Sequence, residues 1–271
     1  MTNYSTRSPP GRADPPGGGP GGRAMAWALD LDGVVWLGDR AVPGAAGAVA
    51  RLQKAGEQVL FVTNNSGRTV AEVEARLAGF GIEACGGVVT SAMAAARLVE
   101  PGETVLGLCG AGAAEELRKA GANVVTKGAA DTVVVGFHED FDYWRLTEGL
   151  RALLGGARLV ATNDDVSYPA HDGIRPGAGS IVAALVAASG AIPEVAGKPY
   201  QPMCDLVLEL AGRDGVVVGD RPDTDGRLAR NLGWAFALVL TGIAGIDDIP
   251  VDPKADVVAT DLAALVEETL G

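Results

Sequence analysis

The stretch WALDLDGVV at residues 27–35 decides the fold class of this chain. In it an apolar run ends on two aspartates and a glycine, a pattern typical of a buried strand that finishes in a polar turn. Similar strand ends occur in QVLFVTNNS at 58–66, in VAGKP at 195–199 and in GVVVGD at 215–220. Each of these apolar runs stops at polar or charged residues.

Short apolar runs alternate with longer segments rich in Ala, Leu, Glu and Arg from Trp27 onward. Runs that are apolar throughout are typical of strands covered on both faces, and their alternation with helices favours parallel pairing. We therefore predict an α/β protein with open, Rossmann-like parallel sheets. Strands are expected over 27–32, 58–65, 88–91, 104–109, 123–125, 132–137, 158–163, 215–220, 235–240 and 256–260, and helices over 43–55, 69–79, 91–100, 112–120, 143–154, 178–189, 201–212 and 224–232.

The composition limits the partners that this chain can have. Its 271 residues include 22 Lys and Arg against 34 Asp and Glu, which gives a net charge of −12. An acidic surface of this kind repels nucleic-acid phosphates and anionic membranes, so neither is expected as a partner. Residues 1–24 are rich in Pro and Gly and lack the apolar centre of a signal peptide, and no stretch approaches the ~18 apolar residues of a membrane span. We expect a cytoplasmic protein whose residues 1–24 form a disordered tail.

Three aspartates at strand ends indicate a metal site. Ligands of parallel α/β sheets bind outside the carboxyl ends of the strands. Asp30 and Asp32 lie two positions apart, so their carboxylates repel each other unless a cation lies between them or one takes a proton. Asp220 offers a third hard oxygen ligand. Carboxylates without sulfur or imidazole suit Mg²⁺, and we predict a Mg²⁺ site here.

A phosphate site is predicted beside this cluster. Thr63 and the backbone amides of Asn64 and Asn65 form a donor-rich turn ahead of a helix, which is suited to phosphoryl oxygens. Lys198 supplies a compact positive charge that offsets the carboxylates and a bound phosphate.

These segments resemble the four motifs of the haloacid dehalogenase superfamily of phosphatases. The matches are Asp30–Val34 with the nucleophile motif, Thr63–Ser66 with the hydroxyl motif, Gly197–Pro199 with the lysine motif, and Gly219–Asp225 with the last acidic motif. The residues of these motifs are similar to those of subfamily IIA, the para-nitrophenyl-phosphatase-like branch with a large α/β cap. The resemblance covers about residues 25–271.

The resemblance implies a mechanism for this chain. Asp30 is expected to attack phosphorus and form an aspartyl-phosphate, while Asp32 protonates the leaving oxygen and then activates water. Mg²⁺ is expected on Asp30, the backbone carbonyl of Asp32, and Asp220, with Asp225 orienting these ligands or Lys198. The presence of Asp32 favours phosphoryl chemistry over dehalogenation, in which no leaving oxygen needs a proton. The expected substrates are small phosphomonoesters such as sugar phosphates, glycerol phosphate or phosphoglycolate.

The interval between Thr63 and Lys198 predicts an inserted domain. It far exceeds the roughly 30 residues of one strand–helix–strand unit. We expect a core over 25–101 and 192–271 and an α/β cap over 102–191, which by the resemblance closes over the site and selects the substrate. Within the cap, Asn163 and Tyr168 end a predicted strand and are the candidate specificity residues, whereas His138 and His171 are expected to be loop histidines.

Three other functions are compatible with the same residues. A phosphotransferase or mutase would pass the phosphoryl group from Asp30 to a sugar. A receiver-like signalling domain also uses a strand-end Asp, Thr and Lys with Mg²⁺, although it needs about half this length. A catalytically silent binder is the third, and the complete set of charged residues argues against it. A homodimer is a further expectation of the resemblance, because caps in this family take part in dimer contacts.

Overall fold

The computed structural model describes residues 24–170 and 173–271. The predicted tail, apart from Ala24, and His171 lie outside the described residues. The strands in the described part are β1 (Ala26–Leu29), β2 (Trp36–Leu37), β3 (Arg40–Ala41), β4 (Gln58–Thr63), β5 (Val88–Thr90), β6 (Thr104–Leu108), β7 (Asn123–Val125), β8 (Thr132–Val135), β9 (Arg158–Ala161), β10 (Ser167–Ala170), β11 (Gly173–Pro176), β12 (Pro193–Val195), β13 (Gly215–Gly219), β14 (Ala235–Val239) and β15 (Val257–Ala259). The α-helices there are α1 (Ala45–Lys54), α2 (Val70–Gly79), α3 (Ser91–Ala96), α4 (Ala111–Lys119), α5 (Tyr143–Leu154), α6 (Ala178–Ser189), α7 (Gln201–Ala211), α8 (Arg227–Leu232) and α9 (Leu262–Leu270).

The first sheet is parallel and has the order β15-β14-β13-β1-β4-β5. Its central strand β1 pairs with β13 and β4 so that Leu29 lies opposite Val218 on one side and Phe61 on the other. Alternate residues of these strands enter two different apolar clusters, one on each face of the sheet. This register places the carboxyl ends of β1, β4 and β13 side by side.

The second sheet is also parallel and has the order β12-β9-β8-β6-β7. All of its strands lie in the chain between β5 and β13 of the first sheet, so the second sheet is an insertion into the first. The prediction of an α/β protein with a parallel-sheet core and an inserted α/β unit is therefore confirmed. Strand β12 pairs with β9 although it lies beyond residue 191, where the predicted cap ends. The exact limits of the two domains stay a prediction.

The structure differs from the predicted elements mainly at strand ends and at short strands. Strands β1, β4 and β13 stop before Asp30, Asn64 and Asp220, because the chain turns out of the sheet at these polar residues. The antiparallel hairpins β2–β3 and β10–β11 were not predicted. Their strands of two to four residues are too short to show a recognisable alternation of apolar and polar residues. Helix α9 was also missed, although Asp261 caps it by accepting a hydrogen bond from the amide of Ala264 at 2.8 Å.

The prediction for the helix after Asp220 needs a local correction. A helix was expected over 224–232, but α8 begins only at Arg227 and a π-helical turn occupies Pro222–Gly226. This turn buries Asp225 beneath the end of β13. The turn therefore places a carboxylate where a regular helix start was expected.

Within 24–170 and 173–271, no helix combines the length and the apolar character needed to cross a lipid bilayer. The three cysteines, Cys85, Cys109 and Cys204, are all unpaired.

Candidate active site

A buried lysine joins two carboxylates at the carboxyl edge of the first sheet. Lys198 Nζ donates hydrogen bonds to Asp30 Oδ1 at 2.6 Å and to Asp225 Oδ1 at 2.7 Å. The three side chains are 4%, 10% and 1% exposed, respectively. Since a buried ammonium needs charge partners, these carboxylates hold Lys198 in place, and Lys198 in turn fixes Asp30.

Asp220 lies next to these three residues, and only one of its carboxylate oxygens has a hydrogen-bond partner among the described residues. Its Oδ2 accepts a hydrogen bond from the amide of Ile243 at 2.6 Å, whereas its buried Oδ1 has no partner among the described residues. Carboxylate oxygens of Asp30, Asp220 and Asp225 lie within 4.8 Å of one another. Burial, together with the negative charge of Asp225, raises the pKa of Asp220 to about 6.

The cluster fits a divalent cation of the Mg²⁺ type. Three buried carboxylates lie beside a single ammonium group, so the cluster has an excess of negative charge, and one carboxylate oxygen lacks any partner among the described residues. A bound cation would neutralise part of this charge and give that oxygen a partner. Asp30 and Asp220 could hold the ion with their side chains. The side chain of Asp32 is not part of this cluster, and the expectation that its backbone carbonyl is a ligand stays a prediction.

The turn after Asp30 approaches the cluster so closely that only glycine fits. Gly33 has a φ of +92°, and a Cβ atom there would lie 2.5 Å from the carboxylate carbon of Asp220. The carbonyl of Gly33 also accepts a hydrogen bond from the hydroxyl of Thr241. The glycine that follows Asp32 therefore serves the packing of Asp220 as well as the turn.

The pKa values of Asp30 and Lys198 are shifted by burial and by the neighbouring charges. Burial raises the pKa of Asp30 well above its ordinary value, and the negative charges of Asp225 and Asp220 add to this, while Lys198 opposes it. Burial alone would lower the pKa of Lys198, but Asp225 and Asp30 outweigh it and raise the pKa. Lys198 therefore stays protonated, and Asp30 carries an unfavourable charge that a further cation would stabilise.

Asp32 is held by a tryptophan in the hairpin that follows it. The indole Nε1 of Trp36 donates a hydrogen bond to Asp32 Oδ1 at 2.8 Å. The turn closes because the amide of Gly33 donates to the carbonyl of Trp36 at 2.7 Å. Part of Asp32 is exposed to solvent, but the atoms that surround its carboxylate remove enough water from it to raise its pKa.

The loop after β4 connects the lysine to the second sheet. Asn64 Oδ1 accepts a hydrogen bond from the amide of Lys198 at 2.8 Å, and its Nδ2 donates to Asp165 Oδ2 at 3.0 Å. The amide of Asn65 donates to Thr63 Oγ1 at 3.0 Å. A role of the Asn65 amide in phosphate binding therefore requires it to exchange this hydroxyl for a phosphoryl oxygen, and it stays a prediction.

The two candidate specificity residues occupy different positions. Asn163 is buried, and its Nδ2 donates to the carbonyl of Asn64 at 2.7 Å, so its amide braces the loop after β4. Tyr168 lies in β10, where its ring packs edge-on against Phe137 with the ring centroids 5.1 Å apart. Asn163 thus contacts the site through Asn64, and the specificity roles of both residues stay predictions.

Sequence reasoning missed three side chains around the site. Trp36 binds Asp32, a contact that no motif in the sequence indicates. Asp165 and Arg221, 3.5 Å apart, join the inserted sheet to the turn that carries Asp220. Arg221 could have been noticed as the cation that directly follows a predicted metal ligand. His138, expected to be a loop histidine, lies in the loop after β8, where it is buried with Nδ1 2.9 Å from the carbonyl of Gly136.

Known proteins share this sequence pattern and this fold. A family model for haloacid dehalogenase-like hydrolases matches residues 27–123, and a second model, described as HAD-hydrolase-like, matches residues 195–265. Human chronophin is 38% identical over 250 residues, which cover 84% of this chain and 84% of that protein.

Two solved structures extend the comparison to three dimensions. A p-nitrophenyl phosphatase from Archaeoglobus fulgidus has a TM-score of 0.84 at 32% identity, over 90% of this chain and 99% of that one. A glycerol phosphate phosphatase from Mycobacterium tuberculosis, in complex with magnesium, has a TM-score of 0.83 at 33% identity, over 91% of this chain and 78% of that one. The chain therefore belongs to the haloacid dehalogenase superfamily of hydrolases, in the subfamily IIA branch that its four motifs resemble.

Proposed function

We propose that this protein is a Mg²⁺-dependent phosphatase that hydrolyses small phosphomonoesters through an aspartyl-phosphate on Asp30. The observation that carries the proposal is the hydrogen bond from the ammonium group of Lys198 to Asp30 Oδ1, beside Asp220, whose Oδ1 has no partner among the described residues. A carboxylate held in this way has a fixed orientation, and its other oxygen remains available for attack.

The reaction consists of two displacements at phosphorus. In the first, Asp30 Oδ2 forms a bond to phosphorus, the bond from phosphorus to the leaving oxygen breaks, and Asp32 gives that oxygen its proton. In the second, Asp32 takes a proton from water, the water oxygen bonds to phosphorus, and the bond to Asp30 breaks to release inorganic phosphate. Asp32 can serve both steps because the first leaves it ready to accept a proton.

Positive charge is needed because an anionic nucleophile attacks an anionic substrate. Lys198 supplies one fixed charge, and Asp225 keeps it in place from the opposite side at 2.7 Å. A Mg²⁺ ion held by Asp30, Asp220 and the backbone carbonyl of Asp32 would neutralise further negative charge between carboxylate and phosphate.

The names of two solved relatives support a substrate class for this chain. The name of one relative states activity on glycerol phosphate and that of another on p-nitrophenyl phosphate, and both are small monoesters. We expect this chain to act on small soluble phosphorylated metabolites of the same kind. The cap, which the sequence predicts at about residues 102–191, would select among them, with Tyr168 contacting the leaving group.

The test is release of inorganic phosphate by the purified protein from sugar phosphates, glycerol phosphate, phosphoglycolate and p-nitrophenyl phosphate. We expect release with Mg²⁺, none after chelation, and recovery when Mg²⁺ is added back. Full activity in chelator would remove the metal from the proposal. Loss of the phosphoryl group from the ester only when a sugar acceptor is added, with the group recovered on that sugar and not as inorganic phosphate, would instead favour a phosphotransferase or a mutase.

A further inference from the structure

The hydrogen bond between Trp36 and Asp32 is a contact for which sequence reasoning gave no role. Trp36 is 3% exposed, and its Nε1 lies 2.8 Å from Asp32 Oδ1. Backbone hydrogen bonds of the hairpin fix this distance: the amide of Trp36 donates to the carbonyl of Leu31 at 3.0 Å, and Trp36 accepts from the amide of Gly33. The indole therefore has one geometry relative to the carboxylate.

The chemistry of an indole decides what this contact does. An indole N–H donates a hydrogen bond and cannot accept one, so Asp32 Oδ1 must be the acceptor. Because the carbonyl oxygen of a carboxylic acid accepts more strongly than its hydroxyl oxygen, the contact favours placing the proton of Asp32 on Oδ2. The contact selects the oxygen from which a leaving group is protonated and limits rotation of the carboxylate.

The indole ring of Trp36 also packs against α2, the helix that follows the loop after β4. The guanidinium carbon of Arg76 lies 4.3 Å from the centroid of the Trp36 ring, and the ring of Phe80 lies 6.0 Å away. Arg76 also donates to the carbonyl of Gly38 in the turn of the hairpin. Both residues belong to α2 or its end, so the position of Asp32 is tied to a rigid element.

We propose that Trp36 is a positioning residue that aims the proton of Asp32 at the leaving oxygen, so that this chain can cleave esters of poorly acidic alcohols. The inference rests on the proposed phosphatase function. Alcohol leaving groups depart from phosphorus only when they are protonated, whereas nitrophenolate departs without a proton. Loss of the indole N–H should therefore affect one substrate class and spare the other.

The experiment compares Trp36→Phe with the unmodified full chain in Mg²⁺, using glycerol phosphate and p-nitrophenyl phosphate. The readout is kcat/KM, since it excludes breakdown of the aspartyl-phosphate, which is common to both substrates. We expect kcat/KM for glycerol phosphate to fall about 10- to 100-fold and that for p-nitrophenyl phosphate to fall less than about threefold. Equal losses for the two substrates would show that Trp36 has only a structural role and would overturn the proposal.

Trp27 provides a matched control for the loss of an indole. It is 1% exposed in β1, and its buried Nε1 has no partner among the described residues. Trp27→Phe should therefore leave the ratio of the two kcat/KM values unchanged. If Trp36→Phe does not fold, 3-benzothienylalanine at position 36 keeps the shape of the indole and replaces only the N–H by sulfur.

A second comparison tests whether Trp36 acts through Asp32. In an Asp32→Asn background the proton is already lost, so Trp36→Phe should reduce kcat/KM for glycerol phosphate no further. An additional loss of tenfold or more in that background would contradict the proposal. If the unmodified protein releases phosphate from neither ester, the phosphatase function itself fails, an outcome distinct from equal losses in the variant.

Discussion

Replacing Asp220 by asparagine should make the metal-free protein more stable while removing its Mg²⁺-dependent activity. The pKa of this buried carboxyl is raised to about 6 from an ordinary value of 3.8. At about 1.36 kcal/mol per pKa unit, keeping Asp220 ionised in the folded chain costs about 3 kcal/mol above pH 6. The substituted asparagine could still accept the hydrogen bond from the amide of Ile243, and its neutral amide group would face Asp225 without repulsion.

The sign of the pH dependence follows from the raised pKa. Because the folded protein holds this proton more tightly than the unfolded chain, Asp220 destabilises the fold progressively as the pH rises from about 4 to about 6. The stability difference between Asp220→Asn and the unmodified protein should therefore be full at pH 7.5 and vanish near pH 4.

Thermal unfolding in chelator measures this difference. About 1 kcal/mol shifts the midpoint by 2–4 °C in chains of 150–250 residues, so Asp220→Asn should unfold several degrees higher at pH 7.5. Added Mg²⁺ should raise the midpoint of the unmodified protein and have a much smaller effect on the variant. Asp247→Asn, which removes one exposed carboxylate, controls for net charge. If the variant is less stable than the unmodified protein in chelator at pH 7.5, ionised Asp220 does not destabilise the metal-free fold.

Three further substitutions test other parts of the site. Lys198→Met leaves Asp30 and Asp225 buried without their cation, so chemical denaturation in chelator at pH 7 should show a loss of about 3–5 kcal/mol, and an unchanged stability would contradict the role of this triad. Gly33→Ala pushes a Cβ into Asp220 and should weaken Mg²⁺ binding in titrations of activity, whereas Gly38→Ala, with φ +52° but no atom within 4 Å, should not. Tyr168→Phe should change the ranking of metabolite substrates more than the rate with p-nitrophenyl phosphate; an equal fall for all substrates would make Tyr168 structural.

The sequence indicates which residues come together at one sheet edge where strands carry them there, while their catalytic roles stay predictions. Asp30 and Asp220 directly follow the apolar strands β1 and β13, Thr63 is the last residue of β4, and parallel pairing brings the ends of these strands to one edge. The prediction could not extend to contacts that depend on turns. Trp36 reaches Asp32 only because Gly33 adopts a positive φ and folds the hairpin back, which no apolar periodicity reports.

The sequence could predict that an α/β unit is inserted into the first sheet, but not the residues at which this unit begins and ends. Its interior strands β6, β8 and β9 are rich in Val and Leu, and the predicted segments contain them. Its edge strand β12 is Pro-Glu-Val, which has too little apolar character to be predicted from sequence. For the same reason the role of Asn163 could not be inferred, because the buried amide bonds to the backbone of Asn64, 99 positions away.

The central claim is that Asp30 carries the phosphoryl group during turnover, and trapping that intermediate tests it most directly. The protein would be quenched in acid while it turns over p-nitrophenyl phosphate with Mg²⁺, reduced with borohydride, and digested for mass spectrometry. We expect homoserine at position 30, because borohydride reduces an acyl-phosphate, and no such product in Asp30→Asn, which should release no phosphate. Continued turnover by Asp30→Asn, or a phosphoryl group found on another residue, would contradict this claim.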